Sequence, residues 1–419
     1  MTAVKNTFVL LVVLFCGLCC LAEQGRHQFI LETAYTILPA SPVSIDLDGI
    51  GYNTDSREIA LYRLDDGKKT ALSCQLEASS GKVWFMPGRR INVGEKIAFE
   101  IAFEDAVKKE NLIKADTGAE TITLVSGGKN ILSYHYGLCD VPDGVDEIYR
   151  KNGFIHPLFS PAGKVLTCIQ PKDHYHHYGI WGPWTKTKID GREVNFWDMA
   201  AGQGTVRFGG FLSKVSGPVF GGFKARQEHW DLSDKAKSKT AINEVLDVKA
   251  FAGKVDNKDI WIIDLMTVFN NALESPIEFE QYRYGGGIGF RATQKWTKDN
   301  CSALTSAGKT RKDADSTRAR WCDVNGDAGK DEYCGIVFLS HIANREHPEP
   351  MMVWSADANG GRGDMFFEFC PIKFKNWIIK PGKEYVLRYR MIVYDGKLNP
   401  ETMETLWKNY VYPPTVTSK

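Results

Sequence analysis

Between Phe29 and Phe103 apolar and polar residues alternate in short runs, "SPVSIDLDGIG", "REIALYRLDD", "GKVWFMPG" and "GEKIAFEIAF", separated by glycine- and proline-bearing turns. A period of two turns one face of each run to a core, so these segments read as strands of an immunoglobulin-like β-sandwich. Residues 105–118, "DAVKKENLIKADTG", are polar and lack a period, which places a domain boundary there.

Beyond Glu120 the runs lengthen: "TVRFGGFLSKV", "TAINEVLDVKAFA", "DIWIIDLMTVFNN", "EYCGIVFLSH" and "EYVLRYRMIVYDG" predict long antiparallel strands. Strands of that length imply two large packed sheets, a supersandwich, rather than a parallel α/β fold. One helix is expected in "NPETMETLWKNYVY", with Pro400 at its start and Met403, Leu406, Trp407 and Tyr410 along one face. The predicted fold class is all-β: an N-terminal immunoglobulin-like β-sandwich over 23–118, then a large antiparallel β-supersandwich-like domain with a C-terminal helix over 119–419.

Residues 1–22 carry Lys5, an apolar run from Thr7 to Leu21 and a small-residue exit at Ala22, the pattern of a secretory signal peptide. The expected location is periplasmic or extracellular, with a lipid anchor on Cys19 or Cys20 as the alternative. After Leu21 no apolar run reaches the roughly 18–20 residues that a membrane-spanning helix needs, so no integral membrane association is expected. Lys and Arg total 52 against 51 Asp and Glu, without a basic run, which argues against nucleic acid as a partner. Seven cysteines follow the signal, none at C-x-x-C spacing; burial as free thiols and a disulfide from Cys301 to Cys322 or Cys334 are both open.

Chemistry concentrates in "QPKDHYHHYGIWGPW", residues 170–184, where His174, His176 and His177 make up a third of the nine histidines. As an extended strand this stretch would put Asp173, Tyr175 and His177 on one face and His174 with His176 on the other. Two imidazoles at that spacing lie about 7 Å apart. A divalent metal could bridge them if His156, His341 or His347 supplied a third ligand. A neutral histidine oriented by Asp173 could instead act as acid or base, and hydrogen-bonded core histidines are the third reading. No cofactor motif occurs, so a divalent metal on His174 and His176 is the cofactor the pattern leaves open.

Elsewhere, Asn195 and Trp197 in "VNFWDM" alternate onto one face, an amide and an indole suited to the hydroxyls and apolar plane of a sugar. "YRYGGGIGFRA" does not satisfy G-x-G-x-x-G and precedes a strand-like run, which argues against a phosphate loop. Arg291 behind it suits a carboxylate or sugar hydroxyls. Asn325-Gly326 reads as a hairpin turn, since Ala328 and Cys334 stand where a calcium loop needs glycine and glutamate. His341 ends the strand "GIVFLS", and Asn344 and His347 follow in a proline-bearing loop, a usual place for binding residues. A pocket that joins the histidine stretch to His156 and the 341–347 loop is the resulting expectation.

In chain order, "FIHPLFSPAGKVLT", "DHYHHYGIW", "VNFW", "GGGIGFRA", "ARWCD", "GIVFLSHIANREHPEPMMV" and "VLRYRMIVYDG" resemble the family of secreted bacterial proteins called methane oxygenase PmoA-like, formally a domain of unknown function. Its motifs fall on His156, Asp173, His174, His176, His177, Gly179, Trp181, Asn195, Trp197, Arg291, His341, Asn344 and His347. The resemblance implies an exported β-sandwich of polysaccharide utilisation, and so a glycan as partner. The methane oxygenase label conflicts with the sequence, because such a subunit is integral to a membrane and this chain has no spanning run after Leu21.

The leading expectation is an exported carbohydrate-active enzyme, a glycoside hydrolase, lyase or mutarotase-like isomerase. Its catalytic set would be His174, His176, His177, Asp173, His156 and His341, with Trp181, Asn195, Trp197, Arg291, Asn344 and His347 binding substrate. No carboxylate pair at recognisable spacing supports two-carboxylate hydrolysis, which favours histidine-driven elimination or epimerisation. The alternatives are a non-catalytic glycan-binding protein and a metal-dependent enzyme built on His174 and His176.

Overall fold

A computed structural model describes residues 26–47, 57–65, 67–105, 110, 112–329 and 332–418. The signal segment expected over 1–22 lies outside the described residues. The rest is all-β, as the alternation predicts, with one long helix near the C-terminus.

The first sandwich packs a five-stranded sheet, ordered Thr415–Ser418, Arg26–Glu32, Lys96–Asp105, Arg57–Asp65, Lys68–Leu72, on a three-stranded one of Val43–Asp46, Lys82–Phe85 and Cys74–Glu77. Alternate residues such as Phe29, Leu31, Ile45, Val83, Phe85, Phe99 and Ile101 fill the space between them. The C-terminal strand therefore completes the N-terminal sandwich, and Ile113–Thr117, ahead of residue 119, pairs into a sheet of the larger unit.

That larger unit is built from two antiparallel eight-stranded sheets among the described residues. The first runs in the order Met351–Val353, Phe366–Phe369, Ile288–Arg291, Ile180–Trp181, Phe154–Leu158, Lys129–His135, Thr121–Ser126, Ile113–Thr117. The second begins at Gly204–Val215 and passes through Gly221–Asp231, Lys239–Val255, Lys258–Asn271, Glu384–Asp395, Glu332–Ser340 and Trp321–Gly329 to Cys301–Thr305. Their facing sides form one core: Leu132, Ile155, Ile180, Phe290 and Phe367 from the first meet Phe223, Val248, Ile263, Phe338 and Met391 from the second.

Strand Lys258–Asn271 shows why its sequence, "DIWIIDL", is nearly continuous in apolar residues. Trp261 and Ile263 face the inter-sheet core, while Ile260 and Ile262 face a second apolar layer on the opposite side. That layer is closed by the helix Pro400–Val411 through Met403, Leu406, Trp407 and Val411, and by Leu38 and Ala40 of the first sandwich. Asn399 caps the helix by accepting the Thr402 N–H, and Pro400 needs no donor in the first turn.

Two expectations change. The seven cysteines from Cys74 to Cys370 are all free thiols, so no disulfide joins Cys301 to Cys322 or Cys334. Asn325-Gly326 is not the hairpin turn but lies inside Trp321–Gly329, and the chain reverses between Gly329 and Glu332. Glycine is needed at 326 because a Cβ there would sit 2.7 Å from the Trp296 indole. Among the described residues no helix is long and apolar enough to cross a membrane.

Asn409, 4% exposed, ties the helix to the first sandwich. Its side-chain oxygen accepts the Leu38 N–H at 3.0 Å and the Ser41 hydroxyl at 2.6 Å, and its amide donates to the Thr36 carbonyl at 2.7 Å. Asn409→Leu leaves these three groups unmet at a buried interface. At about 1–3 kcal/mol for each orphaned group, urea denaturation is expected to report a loss of about 3 kcal/mol or more. A loss below about 0.5 kcal/mol, the scale of an ordinary surface change, would show the contact to be dispensable.

Candidate functional site

The histidine stretch is not a strand. Pro171 and Gly179 bracket two consecutive tight turns, in which the His174 N–H donates to the Pro171 carbonyl (2.8 Å) and the His177 N–H to the His174 carbonyl (3.0 Å). The Gln170 N–H closes the loop on the His177 carbonyl at 2.8 Å. Gly179 has φ +62°, and a Cβ there would lie 2.3 Å from the Ile155 carbonyl oxygen, so only glycine lets the loop press onto strand Phe154–Leu158.

The turns overrule the expected alternation of faces and gather all three imidazoles. The His174 ring stacks on His177 at 4.6 Å, with His176 edge-on to both at 5.4 and 4.8 Å. His177, 1% exposed, is packed between Trp197 (5.5 Å) and Phe366 (5.2 Å), with Trp181 and Trp354 at 5.5 and 5.8 Å. Tyr284 completes this aromatic cluster, edge-on to Trp197 at 5.2 Å, and its hydroxyl accepts the Trp354 indole N–H at 3.0 Å. The cluster lies on the outer face of the first eight-stranded sheet, with Trp181, Met352 and Phe366 projecting from it and loops forming the cover, and of the three imidazoles only the His174 and His176 edges reach the surface.

An ionic cluster binds the loops at one side. Asp173 Oδ2 accepts from His174 Nδ1 (2.8 Å), Arg291 Nη2 (3.0 Å) and Asn359 Nδ2 (2.7 Å). Asp364 lies 3.5 Å from the same Arg291 nitrogen and also takes Asn359 Nδ2 (2.7 Å) and Arg362 Nη2 (2.6 Å). Burial alone would push the Asp173 carboxyl up, but the His174 hydrogen bond and the Arg291 charge outweigh it and hold it below its ordinary value. The loop that carries Asn359, Arg362 and Asp364 is pinned by buried Arg311, which donates to the carbonyls of Trp354 (3.0 Å), Ser355 (3.2 Å) and Asp364 (2.8 Å). At the other side His176 Nδ1 lies 3.7 Å from Asp198, whose second task is to cap the turn Met199–Ala201.

Burial lowers His176 to about 4 and drives His177 well below the usual imidazole range, so both are neutral at neutral pH. His177 Nδ1, Trp181 Nε1, Trp197 Nε1 and Arg291 Nη1 are buried without a hydrogen-bond partner in the protein. Four such groups in one cluster are unusual for a packed interior, where buried polar atoms are nearly always paired.

Several expected site residues take other positions. Arg291, 1% exposed, anchors Asp173 and lies 4.9 Å below the Trp354 ring. Asn195 does not present its amide beside Trp197: its side-chain oxygen accepts the Trp197 and Asp198 N–H groups at 3.0 and 2.9 Å and shapes that turn. His156 bonds Thr167 at 2.9 Å and neighbours His135 at 6.5 Å rather than the histidine loop, and burial lowers it to about 4. His341 and His347 pack on Tyr410 (5.3 Å) and Trp407 (6.2 Å) of the C-terminal helix. Asn344 bonds Glu349 (2.9 Å) and the Arg388 backbone beside them. These three follow a strand of the second sheet, so the whole sandwich core separates them from the histidine loop, and the expected joint site does not form.

A metal does not fit either. Zinc-type sites need three or four ligand atoms converging to about 2.1 Å from one point, and of the expected set His174 and His176 are neighbours, at 5.4 Å between ring centroids, while His156, His341 and His347 pack elsewhere. Among the described residues no group of three His, Cys, Asp or Glu side chains is placed to hold a metal ion.

A loop-covered aromatic and histidine cluster on the outer face of an all-β double sandwich is the class that fold and site define. The chain belongs to the family of unknown function DUF6807, whose model matches residues 121–408; that description carries no PmoA naming. No curated protein matches the chain. Among solved structures it is similar to an α-mannosidase from Enterococcus faecalis V583, at 9% identity and TM-score 0.42, covering 94% of this chain and 46% of that one. A protein in glycosyl hydrolase family 38 from Enterococcus faecalis gives 9% identity and TM-score 0.43, covering 94% and 47%. Heparan sulfate lyase HepC from Pedobacter heparinus gives 10% identity and TM-score 0.31, covering 70% and 38%. The chain thus spans less than half the length of each of these.

The depressed imidazoles set the response to acid. His176 stands at about 4 in the folded protein against 6.5 for an unhindered imidazole. The unfolded chain therefore takes up this proton first, so the stabilisation is full above pH 6.5 and is lost as pH falls toward 4. His156, also at about 4, acts with the same sign. Urea midpoints are expected to decline across this window and His176→Gln to make the decline shallower; an identical pH profile in the variant would contradict the burial of a neutral His176.

Proposed function

We propose that the protein is an exported carbohydrate-active enzyme in which the Asp173–His174 pair serves as general base at the half-exposed edge of the aromatic cluster. The observation that carries this reading is the 2.8 Å contact between Asp173 Oδ2 and His174 Nδ1. An ionised Asp173 accepts a hydrogen bond from Nδ1–H, which keeps the proton on that nitrogen, fixes the tautomer and leaves the Nε2 lone pair for a substrate. Arg291 and Asn359 hold the carboxylate in place, so the imidazole is oriented before any ligand arrives. The chemistry such a pair performs by itself is proton transfer, the step shared by epimerisation, elimination and interconversion of anomers.

A polyhydroxylated ring suits that edge. The half-exposed imidazoles and the Asp173 and Asp198 carboxylates beside them complement sugar hydroxyls, with Trp354 and Trp197 packed behind the two rings. A purely lectin-like role is less well supported, because Trp181, Trp197 and Trp354 are only 5%, 4% and 8% exposed and form no open platform. Export rests on the signal-type pattern of residues 1–22.

Incubation of the full-length protein with a glycan panel, with products read by mass spectrometry, is the direct test. His174→Gln is expected to lower turnover by about 100-fold or more, the usual scale for loss of a general base, while the melting temperature stays within a few degrees. Full turnover by that variant would remove the assignment of the base. Binding of a glycan without turnover by the wild type would reassign the protein as a binding module.

A further inference from the structure

A cleft of about 360 Å³ opens on the surface next to the cluster, between the turn Glu147–Arg150 and the segment Gly202–Arg207. We propose that this cleft is a subsite for the further rings of an uncharged oligosaccharide whose terminal ring rests on the half-exposed His174–His176 edge of the aromatic cluster, an assignment that rests on the carbohydrate reading above.

Continuity with the cluster is the first support. Met199 belongs to the aromatic cluster and also lines the cleft. Asp198, beside His176, caps the turn that begins at Met199. The opposite wall is joined to the histidine loop as well: the Tyr149 carbonyl accepts the Tyr178 hydroxyl, and the Tyr149 ring lies 5.8 Å from Tyr175. The cleft therefore borders the histidine cluster on its His176 side.

Composition is the second. Leu138 and Ile148 are 47% and 37% exposed, apolar surface of the kind that a sugar's C–H face covers. Between them stand groups that address hydroxyls. The Arg207 guanidinium is held flat over the Trp230 ring at 4.4 Å, and Arg150 bonds Asp140 at 2.6 Å while its Nε is buried without a partner. Glu147 and Asp140 balance Arg150 and Arg207, so the cleft has no net charge with which to select a phosphate or a polyanion. Its volume lies within the range of small-ligand sites.

The test is isothermal titration of the full-length protein with manno- and xylo-oligosaccharides of one to six rings. For at least one series, Kd is expected to fall about tenfold or more from one ring to three, each tenfold step being about 1.4 kcal/mol. Arg207→Ala and Ile148→Asp, both at exposed or half-exposed positions and checked for fold by circular dichroism, should each reduce that gain and leave single-ring binding unchanged. If short sugars bind and length brings no gain, or if the variants weaken all lengths equally, the cleft is not a subsite although the carbohydrate reading survives. Absence of binding by every sugar in both series would overturn the carbohydrate reading and the subsite with it.

Discussion

Arg291 is a guanidinium sealed into the outer face of a sheet, and a buried cation without partners would cost several kcal/mol. Two carboxylates meet it, and each arrives on a different loop: Asp173 on the histidine loop, Asp364 on the loop held by Arg311. Asn359 donates to both, so neither loop can leave without stranding the other's partner. The same contact orients His174 through Asp173. One buried charge thus sets the position of the cover, the ionisation of the aspartate and the tautomer of the histidine.

The place of the site follows from how the layers use up apolar faces. The second eight-stranded sheet is buried on both sides, by the first sheet within and by the helix Pro400–Val411 and the N-terminal sandwich without. Among the described residues, Trp181, Met352 and Phe366 of the first sheet are covered from without by loops and the short turns Met199–Ala201 and Ala358–Gly361 instead of a long helix or a second sheet. Loops tolerate polar side chains at their tips where a packed sheet does not. Chemistry therefore collects on that face, as an aromatic floor under a polar and ionic rim.

The strands and the single helix were legible because alternation and helical spacing are local, while the burial of "DIWIIDL" on two faces emerged only from the layers packed on either side of it. The histidine cluster was legible as a concentration but not as a shape. Period-two reasoning treated it as a strand, although Pro171 and Gly179 already marked turns that bring His174 and His177 onto the same side. Asn359, Arg362 and Asp364 went unassigned, since their contact with Asp173 spans 186 residues for Asn359 and leaves no local trace beyond a glycine-rich polar loop. His341, Asn344 and His347 failed for the converse reason: a loop after an apolar strand looks like a binding loop whichever side of the sandwich it occupies.

The charges around the cluster narrow the chemistry further. Arg291 and Arg362 are both engaged by Asp173 and Asp364, and Asp198 adds a third carboxylate beside His176. His176 and His177 contribute no positive charge at neutral pH, because burial keeps them unprotonated. An acidic sugar would therefore meet three carboxylates, with the Arg291 and Arg362 guanidinium groups already engaged. β-Elimination from a uronate depends on neutralising the carboxylate next to the carbon that loses its proton, and neither arginine is spare for that. An uncharged ring faces no such penalty, and for it the Asp173–His174 base needs only a proton to move. Within the proposed function, that balance favours epimerisation or anomer interconversion over lyase chemistry.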